Sequence, residues 1–211
     1  MGKIRQGILG GFSGKVGPVI GSSWKGKAVM RSIALSYNDA NTQAQQEVRA
    51  RFSLLGKFLA NINGFIGVGF AKQAVGMTAP NAAMQINYDT AVTGTWPNLS
   101  IAYNNTMVSY GKVDLPFNPS ASIDSGSLQV SWSDNSGLGD AEANDNVMLL
   151  LYNPAKNQAV YTTEAAVRSD RNASFTVPTA WTGDAAETYL AMRRAKSGET
   201  SKSFYLGSLT I

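Results

Sequence analysis

The chain contains no cysteine and no histidine. That double absence removes thiol nucleophiles, disulfides, Cys/His zinc sites and Ser-His-Asp triads together. Catalysis would have to rest on carboxylates, Lys, Tyr or Ser, as in glycosidases with paired acids. No pair of acids stands out with supporting chemistry, so the sequence predicts a protein that is not an enzyme and needs no cofactor. No run reaches 18 consecutive apolar residues, and no membrane-spanning helix is expected. The opening Met1–Phe12 is too short in apolar content and too rich in glycine to read as a signal peptide. The expected location is the cytoplasm or a virion-like particle.

Acids are also scarce in the first third. Residues 1–76 hold ten Lys/Arg against Asp39 and Glu47, a net +8, while residues 77–211 hold eight against twelve acids, a net −4. Before Asp39 the bases Lys3, Arg5, Lys15, Lys25, Lys27 and Arg31 occur with no acid among them. Such asymmetry points to an acidic partner for the first segment: nucleic acid, or the acidic half of a neighbouring copy. These six bases, with Trp24, are the expected interaction residues. Phe12, Trp24 and Tyr37 are aromatics able to stack on bases.

What is present is apolar content enough for a core, 44% of 211 residues. Glycines at 2, 7, 10, 11, 14, 17 and 21 punctuate Ile4, Ile8, Leu9, Phe12, Val16, Val19 and Ile20. The pattern lacks the Gly-Lys-Ser/Thr ending of a phosphate loop. It reads as irregular strands with bends and close backbone approaches. Segments 18–23 and 28–36 form a hairpin across Trp24-Lys25-Gly26-Lys27, with Gly26 supplying positive φ. After a turn at 37–41, a capping box at Thr42-x-x-Gln45 opens a helix to about Asn61. Ala44, Val48, Phe52, Leu55, Leu59 and Ile62 make its apolar stripe, packed on the hairpin, with Arg49, Arg51 and Lys57 off it. A second helix spans about 79–93, with Thr78 as cap and Met84, Tyr88 and Val92 on its buried side. Residues 99–110 read as a strand.

From Leu115-Pro116-Phe117-Asn118-Pro119 onward helix signals stop. Short segments follow at 127–133, 146–153, 158–163, 173–177, 187–194 and 203–210, with a faint one at 120–125. Leu128, Val130 and Trp132 alternate on one face, and Val147–Tyr152 is a continuous apolar run, as in a central strand. About seven such strands indicate an antiparallel β-sandwich of immunoglobulin or fibronectin type III kind, with Trp132 in its core. The fold class is α+β, in two domains: a Gly-rich hairpin and two-helix region over 1–115, and the sandwich over 116–211.

Several stretches carry a resemblance. Gly7-Ile-Leu-Gly-Gly-Phe-Ser-Gly-Lys-Val-Gly17, Val19-Ile-Gly-Ser-Ser-Trp-Lys-Gly26 and Met30-Arg31-Ser32 are three. Asn41-Thr-x-x-Gln45 with Arg51-Phe52, Trp132-Ser-Asp-Asn-Ser-Gly137, Asn144-Asp145, Tyr152-Asn-Pro154 and Tyr205-Leu-Gly207 are the rest. Together they resemble, over the whole chain, a family of Bacteroidota proteins known as a domain of unknown function, which implies no activity. Residues 14–60 also resemble modules of tailed-phage structural proteins, in which similar segments precede β-sandwich decorations.

One cluster suggests a ligand. Asp134, Asn135, Asp140, Glu142 and Asp145 crowd one loop, and oxygen-rich loops hold calcium. Their spacing departs from the EF-hand pattern, and a solvated turn is the expected reading. Arg193, Arg194 and Lys196 read as edge-strand charges. The functional expectation is a structural protein that assembles with itself or with another structural protein through its first half. The alternatives are a carbohydrate- or protein-binding module using sandwich loops, with Trp181 exposed as a contact, and a nucleic-acid-binding structural protein.

Overall fold

The computed structural model describes residues 2–4, 10–24, 26–34, 36 and 39–211. Arg5, Lys25, Tyr37 and the Gly7–Leu9 stretch, all singled out above, lie outside the described residues. The chain divides into two compact units, Met1–Thr42 and Gln43–Ile211.

The first unit is an antiparallel sheet in the order β1 (Lys3–Ile4), β2 (Phe12–Val16), β3 (Val19–Trp24), β4 (Lys27–Ser32). The expected hairpin is there: Trp24 pairs with Lys27 across a two-residue turn, and Gly26 takes φ +79°. The glycines earn their positions by close approach. A Cβ at Gly21 would strike the ring and carbonyl of Phe12, and one at Gly11 would strike Ala28. The start of β2 thus lies over the side of the hairpin sheet that carries Gly21 and Ala28.

The second unit has three layers. One sheet runs β11 (Asn172–Thr176), β8 (Ser127–Ser133), β7 (Phe117–Asp124), and the other β10 (Gln158–Thr162), β9 (Asn146–Asn153), β12 (Ala185–Arg193), β13 (Phe204–Thr210). All pairings are antiparallel, which makes the seven-stranded sandwich of fibronectin type III kind. The third layer holds α1 (Gln43–Asn61), α2 (Asn63–Gly69), α3 (Ala79–Asn87) and the hairpin β5 (Val92–Thr95)–β6 (Asn98–Ile101).

Strands β9 and β12 are buried on both faces. Val147, Leu149, Leu151, Leu190 and Met192 point into the sandwich core with Leu128, Val130, Trp132 and Trp181. Met148, Leu150, Tyr152, Tyr189 and Ala191 point outward into a second core with Leu55, Phe58, Ile62, Phe65, Ile66 and Phe70. This explains the unbroken apolar run of β9: a strand covered on both sides has no reason to alternate. It also moves the domain boundary. The helices expected to belong with the basic first half share a core with the sandwich, so the units part at Thr42/Gln43 rather than at 115/116.

The helix over Gln43–Asn61 forms as expected, but its stripe is covered only in its second half. The hairpin was its expected seat; Leu55, Phe58 and Leu59 are instead buried against the outer face of the four-stranded sheet, while Val48 and Phe52 stay exposed. The second helix ends at Asn87, where the Asn87 side chain turns to the neighbouring loop. Its Nδ2 donates to Ala83 O and Met107 O, and its Oδ1 accepts from Met107 N. The expected strand over 99–110 is confined to Asn98–Ile101. A layer of phenols seals the helix–sheet contact: Phe58 meets Tyr152 edge to face at 4.9 Å, and the Tyr189 hydroxyl donates to Tyr103 O. Burial there pushes the Tyr103 phenol up to about 12.

Because two cores share β9, substitutions on its opposite faces should have like costs. Leu149→Ala and Leu150→Ala are each expected to lower unfolding free energy by about 3 kcal/mol, read as a fall in urea midpoint within a single transition. The segment 43–211, which contains every residue of both cores, should melt cooperatively on its own.

Candidate interaction surface and the acidic loop

The ladder of the first unit sorts its side chains. Lys15 lies opposite Ile20, Ile20 opposite Arg31, Ser22 opposite Val29 and Trp24 opposite Lys27. Directly opposed residues share a face and alternate residues return to it. Lys15, Ile20, Ser22, Trp24, Lys27, Val29 and Arg31 therefore occupy one face. Gly14, Val16, Val19, Gly21, Ala28 and Met30 occupy the other, where Phe12 and Gly11 lie.

Of the expected interaction residues, the structure thus brings Lys15, Trp24, Lys27 and Arg31 together, all exposed. Lys3 is exposed on β1, opposite Ser13. Trp24 is 64% exposed at the hairpin end. Gly21 is the one buried residue among the described residues of the unit, and all six residues of the outer strand β4 are exposed. The helical bases are placed differently: Arg51 Nε pairs with Glu47 at 3.1 Å, one turn away on α1.

The acidic loop is occupied by guanidinium groups. Asp145 is fully buried, and its Oδ2 accepts from Arg168 Nη2 at 2.9 Å, Arg168 Nε at 3.3 Å and Glu142 N at 2.9 Å. Its Oδ1 accepts from Arg194 Nε at 2.7 Å. Arg194 also pairs with Glu142 at 2.9 Å and Asp140 at 3.2 Å. Arg168, fully buried, spends its remaining donors on Asn135 Oδ1 at 2.6 Å and Asp114 O at 2.7 Å. Its own carbonyl accepts from Trp132 Nε1. Asp134 stands apart: the Ser136 hydroxyl and amide hold its carboxyl below the usual carboxylate range. Of the oxygens grouped as a candidate calcium loop, those of Asn135, Asp140, Glu142 and Asp145 therefore face arginine. Among the described residues, no group of three or more acids is placed to hold a metal ion.

Two further expectations are corrected here. Arg194 is no edge charge, because β12 lies between β9 and β13. Arg193 reaches Glu164 at 3.0 Å. Trp181 is 1% exposed in the sandwich core, its Nε1 donating to Gln158, and offers no surface for a glycan. Sequence reasoning missed Arg168, and no local signal marks it, since its partners lie 23, 33 and 54 residues away. It also missed an apolar strip on the second unit, where the exposed Val48 and Phe52 of α1 border the half-buried Met84 of α3 and Tyr88 at its end.

Removing Asp145 strands a buried guanidinium. Asp145→Ala should cost about 3–5 kcal/mol of stability, seen as a lowered urea midpoint. Calcium at millimolar concentration should leave the melting temperature of the intact protein unchanged.

Comparison with known proteins gives a fold neighbour and a family. The fn3 domain of human collagen alpha-1(XX) chain, a solution structure, aligns with TM-score 0.34 and 13% identity over 46% of this chain and 84% of that one. No curated protein matches the chain. Residues 11–207 match the family of unknown function DUF6266, and the chain belongs to that family.

Proposed function

We propose that the protein is a non-enzymatic docking module that joins a larger assembly, phage-like or cellular, through its first 42 residues. The observation that carries this reading is the contrast between the units. The second unit holds two closed cores. The first buries only Gly21 among its described residues and leaves Trp24, Val29, Met30 and the whole of β4 exposed. Small sheets need a covered apolar face or a neighbouring element to be stable, and an open edge strand beside exposed aromatics is a ready contact surface. The acids of the second unit support the non-enzymatic part. Asp140, Glu142 and Asp145 are held by arginines, Glu187 by the Tyr205 hydroxyl and Asp184 by Lys156.

Head-to-tail attraction between copies loses its basis at the observed boundary. Residues 1–42 hold six bases and one acid, net +5, and residues 43–211 hold twelve bases and thirteen acids, net −1. A nearly neutral second unit is a poor counter-charge for the first, which favours a different molecule over a second copy as the acidic partner.

Light scattering across a size-exclusion column tests the docking. Prepared from its own cells at physiological salt, the full chain should elute as an assembly heavier than 22.4 kDa. It should fall toward that mass at high salt, while 43–211 runs as a monomer throughout. Identical monomers for both chains at every concentration and salt would remove the proposal.

A further inference from the structure

Resting on the docking reading, we infer that the open face of the first unit binds a single-stranded nucleic acid along its sugar-phosphate backbone, with Trp24 as a stacking platform. The ladder carries the inference. Every described base of β2–β4 falls on one face, and the opposite face is the one on which Phe12 and Gly11 lie. Lys15 and Arg31 sit two strands apart, about 10 Å at the ordinary strand spacing. Lys27 and Arg31 sit four residues apart on β4, about 13 Å. Strands β1–β4 contain no Asp or Glu, so nothing on the sheet neutralises the three cations.

The chemistry of the face favours nucleic acid over an acidic protein. A protein interface of this kind needs a depleted-charge apolar centre, and here Ile20, Ser22 and Val29 alternate with cations instead. Sequence-tolerant readers of single strands combine a positive track with an aromatic on which bases stack. Trp24 is 64% exposed and directly opposite Lys27, at the end of the row. The exposed Trp24 ring suits a single strand, whose unpaired bases are available to stack on it, whereas in a duplex they are stacked on one another. Recognition is then of backbone charge and base surface, not of sequence.

Fluorescence anisotropy of a labelled 20-nucleotide oligo-dT, titrated with the intact chain, tests this. Three cations on a single strand predict a salt slope near −2, so raising salt from 50 to 200 mM should weaken binding about twentyfold. Lys15→Ala should flatten that loss to about sevenfold, by removing one contact. Trp24→Ala should weaken binding about tenfold with the slope unchanged. Lys15→Arg/Lys27→Arg, which keeps the charges, should bind like the parent and guards against a folding artefact. Absence of binding at 50 mM salt overturns the inference, as does a Lys15→Ala/Lys27→Ala/Arg31→Ala variant that binds like the parent. So does polyglutamate that competes as well as oligo-dT with Trp24→Ala silent, which assigns the face to an acidic protein. The light-scattering result is read separately. Salt-sensitive assembly without oligonucleotide binding removes the nucleic acid and leaves the docking; loss of both removes both.

Discussion

Everything in the second unit depends on two strands buried on both sides. β9 and β12 pair along seven residues, from Glu187↔Tyr152 to Arg193↔Asn146, and contribute apolar side chains alternately to the sandwich and to the helix layer. Each apolar side chain sealed this way is worth roughly 1.5–3 kcal/mol. Because the same backbone presents both sets, neither core can be loosened without shifting the other. The helices are therefore not an ornament on a sandwich that folds alone. They are its outer wall.

The ion cluster at one end of the sandwich follows from that packing. The loops leaving β8, β10 and β12 converge there, and they bring Asp145, Arg168 and Arg194 out of water together. Asp145 and Arg168 are both fully buried. A buried pair of this kind contributes little net energy against an apolar alternative, yet is costly to break from one side. Its effect is to fix one arrangement of three loops, with Trp132 held to the Arg168 carbonyl.

What was legible in the sequence was local. Alternation at Leu128–Trp132 and the apolar run at Val147–Tyr152 set the strands to within a residue or two, and the Trp24–Lys27 turn set the first hairpin. What was not legible was long-range. Periodicity shows that Leu55 and Leu59 face something, not that the something is the far side of β9. The Val48–Phe52 half of the same stripe is apolar in pattern and open in fact. The acidic loop misled because composition alone cannot say that Arg168 and Arg194 return to it from 23 and 49 residues further on. The co-facial set of Lys15, Trp24, Lys27 and Arg31 was half legible: the residues were evident, and their common side needed the ladder.

The outer strand of the first unit has a further property. Unsatisfied edges invite other edges, and a chain made in many copies meets itself first. An antiparallel meeting of two β4 strands centred on Val29 sets Lys27 of each against Arg31 of the other, like charge facing like. The edge is thus fenced against its own kind.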